Sequence, residues 1–343
     1  MQSVYFGPGG GYTATIGRGA VSELRGAARA ASSGTRSVIV TDSGVPRSVI
    51  EKVRVELCSA GFSVGVVTIP AGERSKTADT VMRICSELFS TGIKRGDLIV
   101  GVGGGLVGDT AGFAAAIYLR GVAFISVPTT VISQTDSAYG GKTGVDLPEG
   151  KNLLGVFCHP KAVICDTSFL DALGESEIAS GMGEIIKYGA IADPAILEEL
   201  RPGAPSDELV ARCVGIKRRF VEKDEFDLGE RRILNFGHTL GHAFETASGY
   251  TLPHGQAVAL GMLAITRFGE RIGVTDSGVY GKIAEACERV GLDTRWEERL
   301  PAALGFVAAD KKSDGESVSA VLLERLGVPV IRSVGTDEFG KVL

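Results

Sequence analysis

The sequence predicts an α/β N-terminal domain with a parallel, Rossmann-like sheet, followed by a mostly α-helical C-terminal domain. In the first part of the chain, short β-branched runs alternate with helical stretches, whereas after about residue 166 helical spacing continues with few strand signals. Parallel strands need long crossover connections, which helices usually provide, so this alternation is typical of a parallel sheet. We therefore divide the 343 residues into domains 1–165 and 166–343.

The individual elements follow from the spacing of apolar residues and from the turn residues between them. In the first domain we predict strands at residues 37–41, 62–69, 97–102 and 122–127, and helices at 45–59 and 77–90. In the second domain we predict helices at residues 168–200, 205–225, 231–248, 253–273 and 276–291. Glycine, proline and aspartate separate these helices, as expected of residues that favour turns.

The composition limits the classes of partner. The net charge of −5 disfavours binding to nucleic acid or to an anionic membrane. No apolar run approaches about 20 residues, the length of a membrane helix, and the N-terminus lacks the pattern of a secretory signal. The six cysteines are scattered without a Cys-x-x-Cys pair, which argues against a disulfide framework. We therefore expect a cytoplasmic protein.

A glycine-rich segment, GVGGGLVGD, follows the third predicted strand. Gly103, Gly105 and Gly108 fit the G-x-G-x-x-G spacing with which backbone N–H groups approach a pyrophosphate at a helix N-terminus. The segment follows the third strand instead of the first, and no acidic residue stands about 20 positions later. A tight turn without a ligand is therefore the alternative. Asp42, at the end of the first predicted strand, could hold an adenosine ribose or form an Asx turn.

Three of the four histidines lie within seventeen residues: His238, His242 and His254. His238 and His242 are four residues apart, so on a helix they share one face, and by spacing alone both are candidate metal ligands. Glu184 is the best carboxylate to join them, because an otherwise apolar helix carries it three residues before Lys187. Burying both charges would be unfavourable without dedicated partners, so we expect a metal and an anion there. A surface ion pair is the alternative.

A stretch rich in glycine and small polar residues extends from 120 to 152. Thr129 and Thr130 stand where a strand meets a helix, a position suited to a cofactor's ribose or phosphate. Turn chemistry without a ligand is the alternative. Several cations could together hold a phosphate and a carboxylate: Lys142, Lys187, Lys217, Arg231 and one of Lys311 or Lys312.

Together these segments resemble the 3-dehydroquinate synthase family of sugar-phosphate cyclases. The motifs extend from about residue 70 to 315 and follow the family's order. They are GGGLVGDTAGFAAAIYLRG, PTTVISQTDSAYGGKTGVDLPEGKNLLG, GMGEIIKYG, RRILNFGHTLGHAFE, LPHGQAVALGM and DKKSDG. Two positions depart from the usual pattern: Tyr139 replaces a smaller apolar residue, and Asp146 replaces an uncharged polar one. The exact substrate is therefore less constrained than the reaction class.

The resemblance implies a dehydroquinate synthase-like fold, with an NAD-binding first domain and a metal- and substrate-binding second domain. It implies a lyase of the shikimate pathway, which leads to chorismate and the aromatic amino acids. The implied reaction converts 3-deoxy-D-arabino-heptulosonate 7-phosphate to 3-dehydroquinate and phosphate, through transient oxidation by NAD, phosphate elimination, reduction and aldol closure. Zinc or cobalt is the implied metal. A homodimer is also implied, in which the arginine matching Arg120 can come from the neighbouring subunit.

The resemblance also assigns site residues. The metal ligands are Glu184, His238 and His254, which leaves His242 for the substrate and keeps positions on the metal open. The implied NAD-binding positions are Asp42, Glu73, Lys76, Gly105, Leu106, Val107, Gly108, Asp109, Thr129, Thr130, Lys142, Lys151, Phe169, Leu170, Asp171 and Ala172. The implied catalytic and substrate-binding positions are Arg120, Asp136, Lys142, Asn152, Lys187, Lys217, Arg231, Asn235, His242 and Lys311 or Lys312.

Two other activities fit parts of the pattern. An amino-dehydroquinate synthase, or another cyclase of secondary metabolism, would share the fold, but Lys187 and the GGKTGV and GKN segments favour the primary-pathway enzyme. A metal-dependent polyol dehydrogenase would share the two-domain plan and the metal spacing. Such a dehydrogenase would release NADH and would not need so many cations for phosphate and carboxylate groups.

Overall fold

The structure, a computed structural model, describes residues 1–307 and 317–343. By its internal contacts the chain divides into two compact units. The first unit comprises Met1–Leu173 and Ser206–Phe226, and the second comprises Gly174–Pro205 and Asp227–Leu343. The lysine predicted to bind the substrate, Lys311 or Lys312, lies outside the described residues.

The strands are numbered in chain order. They are β1 (Gln2–Phe6), β2 (Tyr12–Ile16), β3 (Arg36–Asp42), β4 (Ser63–Ile69), β5 (Leu98–Gly103), β6 (Ala123–Pro128), β7 (Lys142–Leu147), β8 (Gly150–Phe157), β9 (Ala162–Cys165), β10 (Ser317–Arg325) and β11 (Val328–Gly335). The first nine lie in the first unit, and β10 and β11 form an antiparallel hairpin in the second.

The α-helices are numbered in the same way. They are α1 (Leu24–Ala31), α2 (Arg47–Ser59), α3 (Ala78–Ser90), α4 (Gly105–Ile117), α5 (Glu175–Ile191), α6 (Ala195–Glu199), α7 (Asp207–Lys223), α8 (His238–Ala247), α9 (His254–Arg271), α10 (Val279–Arg289), α11 (Leu300–Val307) and α12 (Glu338–Val342). None of the described helices is both long and apolar enough to cross a membrane.

The first unit is built on a seven-stranded sheet with the order β1-β2-β9-β6-β5-β3-β4. Every neighbouring pair is parallel except β1 and β2, which confirms the predicted parallel sheet. The chain leaves β3 toward β4 on one side and leaves β5 toward β6 on the other. The carboxyl ends of β3 and β5 therefore form a topological switch point, where sheets of this kind usually bind ligands.

Apolar side chains cover both faces of this sheet. On one face, Val81, Ile84 and Leu88 of α3 pack with Val107 and Ala111 of α4 in a single buried cluster. On the other face, a second buried cluster contains Leu24 of α1 and, from α2, Val49, Val53 and Leu57. Because helices cover both faces of the parallel sheet, its central strands are buried on both sides and consist of continuous runs of apolar residues.

Helix α7 belongs by its contacts to the first unit, although it follows the predicted boundary between residues 165 and 166. The reason is its apolar face: Val210, Val214 and Val221 lie in one buried cluster with Phe6 and Tyr12 of the first two strands. Periodicity indicates that a helix buries one face but not which element covers it. The functional division into NAD-binding and metal-binding domains stays a prediction.

The second unit is mostly helical, as expected, and its central element is α9. Nearly every residue of α9 from Gly255 to Gly269 is buried. Its neighbours α5 and α8 approach its backbone closely, at positions where glycines leave no room for a Cβ. These three helices carry the predicted metal ligands.

Candidate active site

The three predicted metal ligands converge in the second unit. Glu184 comes from the middle of α5, His238 begins α8 and His254 begins α9. His254 Nε2 lies 3.2 Å from Glu184 Oε1, and His238 Nε2 lies 3.5 Å from the same oxygen. One ligand atom from each residue falls within 4.8 Å of the other two. A carboxylate with two imidazoles is a donor set that suits zinc and leaves positions open, so these residues fit the implied metal.

Each imidazole is oriented through its other ring nitrogen. His238 Nδ1 lies 3.2 Å from the carbonyl oxygen of Phe236, which can only accept, so Nδ1 carries the hydrogen. His254 Nδ1 lies 3.2 Å from Glu245 Oε1. In both rings Nε2 is therefore the nitrogen that faces Glu184. The sequence reasoning missed Glu245, although its position seven residues after His238 on α8 places the two on the same face.

A glycine stands beside each of the three ligands: Gly183, Gly237 and Gly255. An added Cβ at Gly255 would lie 1.7 Å from the carbonyl oxygen of Ser180 in α5, and one at Gly183 would lie 2.3 Å from Gly255 O. A Cβ at Gly237 would lie 2.8 Å from Val258 O in α9. Only glycine allows backbones to approach so closely. The three helices thus meet at backbone distance where the ligands converge.

Glu184 is fully buried and forms an ion pair with Lys187, one turn further along α5. The Nζ–Oε2 distance is 2.5 Å, and both side chains are 1% exposed, so the alternative of a surface ion pair is wrong. Burial alone would raise the pKa of Glu184, but the Lys187 ammonium and His238 together hold that pKa well below its usual range. The carboxylate is therefore ionised and ready to accept a cation.

The two ligand imidazoles have opposite pKa shifts. Burial lowers the pKa of His238, which favours its neutral, ligating form. Burial acts in the same direction on His254, but its hydrogen bonds to Glu184 and Glu245 outweigh it and raise the pKa to about 10. In the metal-free protein the His254 imidazole is therefore protonated, and a bound metal would displace that proton.

His242 does not share a ligand group with His238, contrary to the pairing that spacing alone suggests. Within the described part of the chain, His242 groups instead with Glu245 and His254. The rings of His238 and His242 lie 5.4 Å apart, as expected of two residues that share a helix face. The substrate role that the family assignment gives to His242 stays a prediction.

The glycine-rich segment of the first unit connects β5 to α4 at the switch point. A Cβ at Gly103 would lie 2.5 Å from Val107, and one at Gly104 would lie 3.1 Å from Thr130, so packing explains these two glycines. Gly108 differs, because a Cβ there would meet no heavy atom within 4 Å among the described residues. Open space at the first turn of a helix fits the approach of a ligand such as NAD.

Four of the predicted NAD-binding residues are linked in pairs near this segment. Lys76 Nζ lies 2.6 Å from Asp109 Oδ2, and Lys151 Nζ lies 3.6 Å from Glu73 Oε1. Lys76 Nζ also donates to Asn152 Oδ1 at 2.6 Å, and Asn152 has a positive φ of 51°. Burial acts to lower the pKa of Lys76, but Asp109 and Glu73 outweigh it and raise that pKa, so the ammonium is charged. These contacts thus bring together predicted NAD-binding residues that lie far apart in the sequence.

In the first unit, buried Lys217 also forms an ion pair with half-buried Asp136. Asp136 lies in a π-helical turn, Ser133–Ser137, a feature frequent at functional sites. Lys217 of α7 donates to Asp136 O at 2.6 Å, and its Nζ lies 2.7 Å from Asp136 Oδ1. Lysine is rarely buried without a partner, and Lys217 is only 6% exposed.

Other predicted NAD-binding residues have structural contacts of their own. Asp42 Oδ1 accepts a hydrogen bond from the Gly44 N–H at 2.7 Å. This is the Asx turn that stands as the alternative to ribose binding by Asp42. In the turn Thr167–Ala172, Phe169 and Leu170 are buried, while Ala172 is exposed. Asp171 in the same turn is paired with Arg18. The Thr129 N–H donates to Gly103 O at 3.0 Å, which fixes the end of β6 beside the glycine-rich segment.

The remaining predicted substrate residues lie on different elements. In the first unit, Arg120 has a positive φ of 63° and is exposed, and Lys142 is exposed at the start of β7. In the second unit, Arg231 is buried, and the Asn235 side chain donates to Arg232 O at 3.0 Å. The roles of all these residues stay predictions.

The open space at Gly108 leads to a test. Gly108→Ala should leave the fold intact and, because alanine favours a helix, stabilise it by about 0.5–1 kcal/mol. The added methyl would occupy the space left for the ligand, so we expect NAD to bind at least about tenfold more weakly. Calorimetric titration with NAD measures this. Gly26→Ala, at an exposed and equally open position of α1, is the control that should gain stability alone. Unchanged NAD affinity in Gly108→Ala would contradict the assignment.

Known proteins are similar to this chain over nearly its whole length. The family profiles described as 3-dehydroquinate synthase N-terminal and C-terminal match residues 66–180 and 181–313. A 3-dehydroquinate synthase of Streptococcus sanguinis (strain SK36) is 41% identical over 318 residues, covering 90% of each chain. A 3-dehydroquinate synthase of Clostridium kluyveri is 39% identical over 336 residues, covering 95% of this chain and 94% of its own.

A solved structure has the same fold. It is a 2-deoxy-scyllo-inosose synthase complexed with carbaglucose-6-phosphate, NAD+ and Co2+, with a TM-score of 0.89 and 24% sequence identity over 99% of both chains. This likeness confirms the predicted fold class, a parallel α/β part followed by a helical part.

Proposed function

The chain belongs to the 3-dehydroquinate synthase family, and on this premise we propose that it converts 3-deoxy-D-arabino-heptulosonate 7-phosphate to 3-dehydroquinate and phosphate. This makes it a phosphate-eliminating lyase of the shikimate pathway. The observation that carries the proposal is the convergence of Glu184, His238 and His254 within 4.8 Å. Such a donor set holds a divalent cation and leaves room on it for two substrate oxygens.

Two groups would be bound during the reaction, NAD and a zinc or cobalt ion. When bound, NAD accepts a hydride and returns it later, while the metal acts as a Lewis acid toward the substrate hydroxyls. Glu184, His238 and His254 would hold the metal. The positions at the switch point would hold NAD, chiefly Gly105–Asp109 with Thr129 and Thr130, because α4 begins directly after β5 at that edge of the sheet and its N-cap residue, Gly104, supplies no side-chain cap. The ion pair between Lys76 and Asp109 would hold these two side chains in position.

The substrate carries a carboxylate and a phosphate, and the chain supplies cations for both. Lys187, Lys217 and Arg231, which are all buried, would hold the carboxylate. Exposed Lys142, with Asn152 and Arg120, would hold the phosphate. Fixed cations need no reorganisation when charge develops on the departing phosphate, so they stabilise the transition state. His242 would transfer a proton or bind phosphate, because it is outside the Glu184 group. Asn235 and Lys311 or Lys312 would complete the contacts.

Removing one of these cations should stop the reaction without disturbing the metal. For Lys142→Ala we expect turnover to fall by about a thousandfold, because the phosphate loses a positioned cation in the transition state. Zinc content should stay equal to that of the parent protein, because Lys142 is not one of the predicted metal ligands. Lys94→Ala, which removes another exposed lysine of the first unit, is the matched control. Near-normal phosphate release from Lys142→Ala would refute its role.

The activity itself can be separated from its rivals in one experiment. The parent protein is incubated with NAD and either the seven-carbon acid phosphate or a polyol such as glycerol. We expect phosphate release from the acid phosphate without net NADH, and loss of that release when a chelator removes the metal. Net NADH absorbance with the polyol would instead identify a dehydrogenase. Phosphate release only from an amino analogue of the acid phosphate would identify an amino-dehydroquinate synthase.

Membership of the family also suggests how the protein assembles and where it is located. We propose a cytoplasmic homodimer that acts on a small sugar phosphate and does not involve nucleic acid. In such a dimer the guanidinium of Arg120, which is exposed in its own subunit, could reach the phosphate site of the neighbouring one. Sedimentation at equilibrium tests the dimer, since the expected mass is that of two chains.

A further inference from the structure

Among the described residues, two groups of possible metal ligands share His254. One group is Glu184, His238 and His254, and the other is His242, Glu245 and His254. An imidazole has two ring nitrogens, and a single ion uses one of them. His254 Nε2 faces Glu184 Oε1 at 3.2 Å, whereas His254 Nδ1 faces Glu245 Oε1 at 3.2 Å. The nitrogen that His254 presents therefore decides which group can act as the metal site.

Glu245 is a buried residue, and its backbone carbonyl is hydrogen-bonded to the turn that follows α8. Its side chain is 5% exposed, and the residue lies in the last turn of α8. Its carbonyl oxygen accepts the Tyr250 N–H at 2.9 Å and the Ser248 hydroxyl at 2.7 Å. These two bonds close the turn that leads to α9, a turn in which Gly249 and Tyr250 both have positive φ. Glu245 thus contacts His254 through its side chain and shapes the connection to His254 through its backbone.

We propose that Glu245 is a positioning residue that directs His254 Nε2 toward Glu184 and thereby selects the Glu184–His238–His254 group for the metal. The proposal rests on the proposed function, because it takes that group as the metal site. A carboxylate that accepts the Nδ1 hydrogen fixes both the tautomer and the plane of a ligand imidazole and makes its other nitrogen a better donor. His238 is held in a corresponding way by the Phe236 carbonyl.

If the metal binds to the Glu184–His238–His254 group, His242 stays outside the metal site. With His254 Nδ1 engaged by Glu245, the second group loses the nitrogen that would complete it. His242 then remains outside the metal site, although its ring centroid lies only 6.1 Å from that of His254. This is the condition under which His242 can serve the substrate, as the proposed function requires.

Metal binding without substrate tests the proposal. The affinity of the metal-free full chain for zinc is measured by competition with a chelating dye, and Co2+ absorption reports the ligand geometry. Glu245→Ala should bind zinc about 10- to 100-fold more weakly, the usual loss when an outer partner of a ligand histidine is removed. Glu245→Gln keeps an acceptor oxygen of the same shape, so it should recover most of that affinity and the parent Co2+ spectrum. Glu285→Gln, which removes an exposed carboxylate from α10, should bind as the parent does.

Two further variants decide between a positioning role and direct ligation. If Glu245 were itself a ligand with His242, then His242→Ala would weaken zinc binding as strongly as Glu184→Gln. We expect His242→Ala to change zinc affinity less than about threefold and Glu184→Gln to lose zinc. Parent-like affinity in Glu245→Ala would overturn the proposal, and so would a large loss in His242→Ala. Parent-like affinity in Glu184→Gln would instead refute the metal site of the proposed function, so the two failures are distinguishable.

Discussion

Gly255→Ala is expected to lose zinc almost completely and to unfold at a lower temperature than the parent protein. The new Cβ would lie 1.7 Å from Ser180 O and 2.6 Å from Ser180 C, so α5 and α9 must separate. The obstacle is backbone within a helix, which cannot rotate away as a side chain can. Overpacking of this kind is unfavourable by about 1–3 kcal/mol or more. Glu184 and His254 lie beside the contact on the two helices, so the separation also pulls the ligands apart.

The expected loss of zinc affinity exceeds two orders of magnitude, since changes to the outer partners of ligands alone reduce affinity about 10- to 100-fold. Gly281→Ala in α10 of the same unit is the matched control, because its Cβ would meet nothing within 4 Å. That variant should keep its zinc and gain up to about 1 kcal/mol of stability, since alanine favours a helix. Thermal unfolding and zinc titration measure both variants. Parent-like zinc affinity in Gly255→Ala would contradict the close-packed origin of the site.

Glu184→Gln should abolish both metal binding and turnover. Glutamine has nearly the same shape as glutamate but no charge, so the anionic ligand disappears while the packing is kept. The variant leaves the ammonium of Lys187, which is 1% exposed, without the carboxylate 2.5 Å away. Breaking a buried ion pair from one side destabilises a protein by about 3–5 kcal/mol, so the metal-free protein should also be less stable.

A double variant separates the loss of stability from the loss of metal. Glu184→Gln combined with Lys187→Met removes both charges, and we expect it to recover much of the stability without recovering zinc. Glu175→Gln, at an exposed position of the same helix, should behave as the parent protein. Zinc content, phosphate release and denaturant unfolding together measure these effects. Retained zinc in Glu184→Gln would remove this carboxylate from the ligand set.

Much of the fold could be predicted from local patterns. The predicted strand at 37–41 is contained in β3 (Arg36–Asp42), and the predicted helix at 77–90 is α3 (Ala78–Ser90), because the continuous apolar run of a buried strand and the apolar spacing of a helix are each encoded within one segment. The hairpin of β7 and β8 was not predicted, since its glycines are poor strand formers. Gly155 is required there because a Cβ would lie 2.2 Å from Thr143 O on the paired strand. That requirement depends on a partner strand, which a single segment does not reveal.

The candidate site shows the same limit. Spacing on one helix indicated that His238 and His242 share a face, but which nitrogen atoms converge depends on α5 and α9, which come from elsewhere in the chain. The resemblance to a family supplied the grouping of Glu184, His238 and His254, and the structure brings one ligand atom of each within 4.8 Å of the others. Neither spacing nor resemblance identified Glu245 or the need for Gly255, because both are defined by distances across packed helices. Local sequence indicates which residues can do chemistry, whereas tertiary packing decides which of them meet.

The most direct test of the central claim is to locate the metal. Crystals of the parent protein grown with zinc would be measured above the zinc absorption edge, and an anomalous difference map calculated. We expect one strong peak about 2.0–2.2 Å from a Glu184 carboxylate oxygen and from Nε2 of His238 and His254. A peak coordinated by His242 and Glu245, or no peak beside Glu184, would contradict it.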